Sequence, residues 1–163
     1  MTRVAWIAGV LSGLLVVAAC DEARSPVGPS VVVLAPDVQG ALEATIQDEF
    51  RAETIYQGVI NDFGPVLPFA AILTAEQRHS TVIGQLFTKR GLPVPVSAVT
   101  VVSVPHFATL REACAAGVVA ERENIALYDR YLATALPDDV RQVFSNNRRA
   151  SSDNHLPAFL TCA

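Results

Sequence analysis

The sequence predicts an all-α protein: an up-and-down bundle of four helices with one long crossover between the second and the third. Three observations predict it. Four stretches after Asp37 place apolar residues three and four apart, Gly or Pro marks the turns, and a proline-punctuated segment with no helical period separates the two pairs. The size agrees, since 163 residues make one domain and no shift in composition marks a second. Hydrophobic residues make up 51% of the chain and charged residues 17%, enough to bury a core, although part of the apolar excess lies in the first twenty residues.

Those first residues read as an export signal. Arg3 supplies a positive start, and residues 4–19 form an uncharged apolar run, too short and too abruptly ended for a spanning helix. Val17-Ala18-Ala19-Cys20 resembles the lipobox of bacterial lipoproteins. That resemblance implies a signal peptide over residues 1–19 and a lipidated Cys20 that anchors the exported protein to a bacterial membrane, outside the cytoplasm. Each buried CH₂ of the acyl chains adds about 0.8 kcal/mol to the anchoring. An uncleaved membrane anchor is the alternative. Residues 20–36, punctuated by Pro26, Gly28 and Pro29, suit a flexible tether and leave 37–163 for the bundle. The formal charge is −4, and loss of Arg3 with the leader makes it −5 (−4 − 1). Nucleic acid is therefore not an expected partner, because it needs a basic surface. Arg141, Arg148 and Arg149 read as the solvated face of a late helix.

The first helix is expected over residues 38–63, with Leu42, Ile46, Tyr56, Ile60 and Phe63 on one face and Gly64-Pro65 as its stop. The second covers 67–90, with Phe69, Leu73, Ile83 and Phe87 aligned and Gly91 after it. Residues 92–105 contain Pro93, Pro95 and Pro105 and form the crossover. The third covers 107–134, with Leu110, Val118, Ile125, Tyr128 and Leu132 in phase. The fourth begins at Pro137, followed by Asp138 and Asp139 where carboxylates favour the helix dipole. Pro157 lies inside that last helix and is expected to kink it or loosen its final turns.

Polar residues interrupt the apolar faces at one height. Glu49 lies three residues after Ile46, Glu76 and His79 between Leu73 and Ile83, Glu121 three after Val118, and His155 between Phe144 and Phe159. Buried carboxylates without partners cost several kcal/mol each or take up protons. A divalent cation compensates them, and Glu76-x-x-His79 presents two ligands on one side of a helix. Register supports the grouping: the midpoint between Glu49 and the Glu76/His79 pair falls near Phe63-Gly64, and that between Glu121 and His155 at Asp138, beside the two expected turns. Cys114 lies seven residues before Glu121 and Cys162 seven after His155, so antiparallel helices bring them together as a disulfide, suited to an oxidising compartment. Two separate thiols are the alternative.

Glu49-x-x-Ala52-x-x-x-Tyr56 with Glu76-x-x-His79 resembles half of a rubrerythrin-type site in the ferritin-like superfamily. Glu121-x-x-Asn124-x-x-x-Tyr128 repeats the first pattern, and His155 stands where the fourth helix supplies its histidine. More narrowly, residues 56–65, 76–79 and 154–159 are similar to a bacterial ferritin-like family catalogued as domain of unknown function 2202. The resemblance implies Glu49 and His79 as ligands of one metal, Glu121 and His155 as ligands of another, and Glu76 as the bridge. Where that pattern has a glutamate three residues before the last histidine, this chain has Ser152; Asp153 and Asn154 are rotated by about 100° per residue and replace it poorly. A single-metal site is then the alternative to a dinuclear one. Glu53, four residues after Glu49, competes for the inward position. Tyr56 and Tyr128 pack in the core, bond the ligand carboxylates or carry a radical, with Asn124 beside them; Glu123 faces solvent or a neighbouring helix, and His106 is a surface or capping residue. The implied function is a membrane-tethered iron or manganese protein, with zinc less favoured, acting on oxygen, peroxide or the metal. Storage or delivery of metal, and a metal-free lipoprotein with a binding or structural role, are the rivals. A monomer and a homodimer remain open.

Overall fold

The computed structural model describes residues 1–2 and 35–163; the expected signal peptide, the lipidation site Cys20 and most of the tether lie outside the described residues. Five α-helices occur among the described residues: α1 (Pro36–Phe63), α2 (Phe69–Lys89), α3 (Leu110–Leu132), α4 (Asp138–Ala150) and α5 (Leu156–Cys162). A π-helical turn, Ser151–His155, joins α4 to α5, so the three make one continuous fourth helix of the bundle. No strand occurs among the described residues, and no described helix is long and apolar enough to cross a membrane.

Local chemistry sets the ends. Pro36 opens α1, where its missing N–H costs nothing, and Gly64 closes it with φ +83°, a conformation glycine adopts without strain. The helix α3 begins at Leu110 rather than 107, because Thr109 accepts the Glu112 N–H while the Glu112 carboxylate accepts from Ala108 N. Likewise α2 begins at Phe69, and Pro137 precedes α4 instead of opening it. Thr109 thus does the capping; His106, at the surface, lies 2.8 Å from Asp62.

The connection between α2 and α3 is tied along the length of α1. The Gln47 side chain bonds Val96 O and Ala98 N, Val104 packs on Gly58, and His106 meets Asp62. The chain therefore travels from the start of α1 to its end before α3 begins, and α3 runs antiparallel to α1. At the other end of the bundle Asp139 of α4 pairs with Lys89 and the buried Arg90, closing α4 on the last turn of α2.

Two apolar clusters fill the interior. One gathers Leu42, Ile46, Ile83, Phe87 and Phe144; the other gathers Tyr56, Phe69, Ile72, Val118 and Phe159. Ile60, Phe63, Ile125 and Leu132 are only partly buried. Gly117 lets Phe159 lie on α3, since a Cβ there would come within 2.7 Å of the ring. Cys114 and Cys162 form the expected disulfide, with Cα atoms 5.7 Å apart, and bind α5 to α3 beside that cluster.

Two stability measurements follow. Gly117→Ala overpacks a buried ring and should lower the unfolding free energy by about 1–3 kcal/mol in urea titrations; an unchanged midpoint would show that Phe159 is free to shift. Replacing both cysteines by serine opens a covalent loop with a sequence separation of 48 residues. On the chain-entropy relation this should cost about 4 kcal/mol, read as a lower denaturant midpoint for the double variant than for the oxidised protein.

Candidate metal centre

Between the two apolar clusters lies a polar layer. Glu49 of α1, Glu76 and His79 of α2, Glu121 of α3 and His155 of the π turn are all buried there. Glu76 is the hinge of the arrangement: His79 Nδ1 lies 2.8 Å from its Oε2 and His155 Nδ1 3.0 Å from its Oε1. Glu49 Oε2 lies 3.5 Å from His79 Nδ1, and Glu121 Oε2 lies 3.4 Å from His155 Nδ1. Two groups of three ligand atoms result, Glu49–Glu76–His79 and Glu76–Glu121–His155, with the atoms of each within 4.8 Å of one another. The imidazole rings stack with centroids 5.5 Å apart.

The far oxygens of the outer glutamates are held crosswise. Tyr56 of α1 donates to Glu121 Oε1 at 2.7 Å, and Tyr128 of α3 donates to Glu49 Oε1. Each tyrosine follows a glutamate by seven residues on its own helix and grips the glutamate of the other, as antiparallel α1 and α3 require. The phenols are thus core residues and carboxylate anchors at once. Burial, then the neighbouring carboxylates, push both phenols well above their ordinary range, so they remain donors. Asn124 Nδ2 donates to Asp48 at 2.9 Å and lies 3.4 Å from Glu49 Oε1, while its Oδ1 accepts from Ser151 Oγ at 2.8 Å. Asn147 donates to the Tyr128 hydroxyl at 3.1 Å.

Two expected neighbours fall elsewhere. Ser152 turns away from the layer and bonds Asp153 and the Arg149 carbonyl; Ser151 takes the inward place. The π turn is the reason. It carries the bond from Leu156 N–H to Ser151 O, one residue longer than an α turn, and so puts the residue four before His155 on its face rather than the one three before. The expected kink at Pro157 takes this form: an altered phase just ahead of the proline. Glu53 is half-buried outside both ligand groups, and Glu49 holds the inward position. Glu123 is exposed, 3.5 Å from Arg51.

Three partners of the layer were not anticipated: Asp48, Asn147 and Ser151. Asn147 and Ser151 continue the stripe Val140, Phe144 at helical spacing and were findable there. Asp48 neighbours an inward glutamate and carries no periodic signal.

Three buried atoms of the layer have no hydrogen-bond partner: Glu49 Oε2, Glu121 Oε2 and His155 Nδ1. All three face the shared Glu76. His155 and Glu76 are close, but not in the alignment of a hydrogen bond. Unpartnered oxygens and a ring nitrogen converging in a buried layer form a donor set that suits a divalent cation, and carboxylate with imidazole suits iron, manganese or zinc. On the α1–α3 side, Asp48, Tyr56, Glu76, Glu121 and Asn124 enclose a cavity of about 10 Å³, room for roughly one water. On the α2–α4 side His79 and His155 border a groove of about 460 Å³.

No family model matches the chain, and no curated protein matches it. Among solved structures it is similar to a conserved hypothetical protein from Mycobacterium tuberculosis, with a TM-score of 0.69 and 15% identity, over 80% of this chain and 100% of that one. At that identity the likeness shows the fold alone, a helical bundle.

The layer has its own pH dependence. Burial, then the charge of Glu76, push Glu49 up to about 7. Burial alone would raise Glu76 too, but the two imidazoles outweigh it and hold that carboxyl below its ordinary value. Burial would lower both histidines; Glu49 and Glu76 instead push His79 up to about 10, and Glu121 and Glu76 push His155 up to about 9. A histidine raised on folding contributes stability that is complete below its ordinary value and is lost as pH rises through the folded one; the raised Glu49 has the same sign. The metal-free chain should therefore lose thermal stability between pH 7 and pH 10. Melting curves in chelator test this, and a Tm that holds or climbs over that interval would contradict it.

Proposed function

We propose that this chain is a ferritin-like metal protein, exported and tethered to a membrane through Cys20, whose buried layer holds one or two ions of iron or manganese for redox chemistry on oxygen, peroxide or the metal. The observation that carries the proposal is the convergence of Glu49 Oε2, Glu121 Oε2 and His155 Nδ1, buried and unpartnered, on Glu76. The full-length crossover and the opposed directions of α1 and α3 support the ferritin-like reading. The disulfide supports an oxidising compartment, as an exported chain would meet.

Glu49 and His79 would hold one ion and Glu121 and His155 the other, with Glu76 shared between them. A bound iron or manganese supplies one-electron chemistry. The residues of the chain do the rest. Tyr56 and Tyr128 fix the outer carboxylates with one oxygen left over, Asn124 and Ser151 bond each other without adding charge, and the apolar clusters cover the layer above and below.

One observation favours a second reading. His79 Nδ1 is hydrogen-bonded to Glu76 at 2.8 Å and His155 Nδ1 lies 3.0 Å from it, so two imidazolium ions and one protonated carboxyl can balance the three glutamates, and the bundle can stand metal-free as a binding or structural lipoprotein.

Elemental analysis of the purified mature domain after incubation with iron(II), manganese(II) or zinc(II) separates the readings. The metal proposal expects up to two ions per chain, none in Glu76→Leu, and stabilisation of about 2.7 kcal/mol at a hundredfold excess over Kd. Uptake should tighten as pH rises, because the ion displaces protons held on the histidines and Glu49. The metal-free reading expects no uptake and a more stable Glu76→Leu variant.

A further inference from the structure

A buried layer of carboxylates draws cations, and the bundle offers an incoming ion two approaches that differ in charge and lining. The groove of about 460 Å³ beside His79 and His155 is walled mostly by alkyl groups, including Leu67, Ala71, Ile72 and Ala158, and no carboxylate lines it. Its rim carries Arg78, exposed and without an ion pair among the described residues. A divalent cation meets repulsion there and few oxygen ligands.

The α1–α3 seam is the opposite case. Its inner cavity of about 10 Å³ touches Glu76 and Glu121, and Glu121 is buried with Oε2 unpartnered. Outward from it lies a hollow of about 300 Å³ between the two helices and the end of the crossover. The two spaces share Arg51, Ile55, Tyr56 and Ala120 as their common wall. Tyr56 is tied to Glu121, and Ala120 is too small to close the passage, so Arg51 is the movable member. Its guanidinium lies 2.8 Å from Asp48 of α1 and 3.5 Å from Glu123 of α3, bridging the seam. Asp48 in turn accepts from Asn124, whose amide lies beside Glu49. Carboxylates thus succeed one another from surface to layer: Glu123 exposed, Asp48 mostly covered, Glu121 buried. The guanidinium already occupies a cation's place between the first two. A partly exposed ion pair of this kind contributes at most about 1 kcal/mol, so exchange for another cation is cheap.

We propose that Asp48 and Glu123 form an outer cation site on the α1–α3 seam, through which a divalent metal ion passes to Glu121 and Glu76 once Arg51 swings aside. The destination of that ion rests on the metal-centre reading, whereas the carboxylate pair and its guanidinium plug belong to the seam alone.

Stopped-flow mixing of the metal-free mature chain with cobalt(II), whose visible absorption reports entry into an oxygen and nitrogen site, tests the route. Metal content at equilibrium, measured on the same samples, tests the destination. Arg51→Ala should load about tenfold faster than the wild type, and adding Glu123→Gln should bring the rate back down, since Glu123 then acts only through its charge. Ala120→Phe, which fills the passage, should slow loading by a similar factor and leave the final metal content unchanged. Ala71→Trp, in the groove, should change neither. An Arg51→Ala variant that loads at the wild-type rate, a double variant as fast as Arg51→Ala, or an Ala71→Trp variant slowed as much as Ala120→Phe would overturn the route and leave the metal centre standing. A wild-type chain that takes up no metal at equilibrium overturns both. Circular dichroism checks that Ala120→Phe is folded; the variants at Arg51 and Ala71, which are not buried, decide the matter without it.

Discussion

The constraint on which the rest of the structure depends is the burial of three carboxylates and two imidazoles in one layer across the bundle. An isolated buried carboxylate is costly enough that it would neutralise or drag water inside. Here each has a partial remedy, with one oxygen of Glu49 and one of Glu121 left unpartnered. Glu76 lies between both histidines, and Glu49 and Glu121 each receive a phenol from the opposite helix. These contacts fix the relative height of all four helices, because a slip of one turn, about 5.4 Å, would leave every one of them unmade. The layer therefore sets register as well as chemistry, and the apolar clusters on either side pack around a position already determined.

The two hairpins are related but unequal, and the inequality sits in the fourth helix. On α2, Glu76 and His79 are three apart and share a face. On the fourth helix the buried stripe after Phe144 runs Asn147, Ser151, His155, Phe159, at steps of four once Asn147 is passed. Four residues overshoot an α turn by about 40°, so repeated steps of four would carry the stripe off the core. The wider π turn takes up that drift and keeps His155 and Phe159 inside, with Pro157 just beyond it. A consequence is that the serine facing the layer is Ser151, whose hydroxyl is committed to Asn124. The layer has four helices around it but carboxylates from only three.

Much of this could be read from residues alone, for a physical reason. Helix existence, the two short turns and the long connection follow from apolar spacing and from Gly64, Gly91 and the prolines, which act locally. The five inward polar residues follow from the same period, and the Cys114–Cys162 bond from equal offsets on antiparallel helices. What escaped was whatever depends on a departure from the ideal period or on another helix. The place three residues before His155 faces inward only on an unbroken α-helix, and the π turn gives it to Ser151. Thr109 and Glu112 cap α3 later than the apolar run suggested, and the double role of the tyrosines depends on the α1–α3 pairing. Asp48 joins the network through Asn124 of another helix, and no spacing within α1 announces it.

The layer also has two unlike faces, and this asymmetry bears on how it could work. Toward α1 and α3, Tyr56, Asn124 and Asp48 line a cavity of about 10 Å³. Toward α2 and the fourth helix its boundary is the pair of imidazoles, with an open groove beyond them. A small molecule approaching from solvent on that side meets ring nitrogens before it meets any carboxylate. The same two side chains then face the acidic interior with one nitrogen and the groove with the other, so a change at either nitrogen alters the proton or electron-pair demand on its partner across the ring.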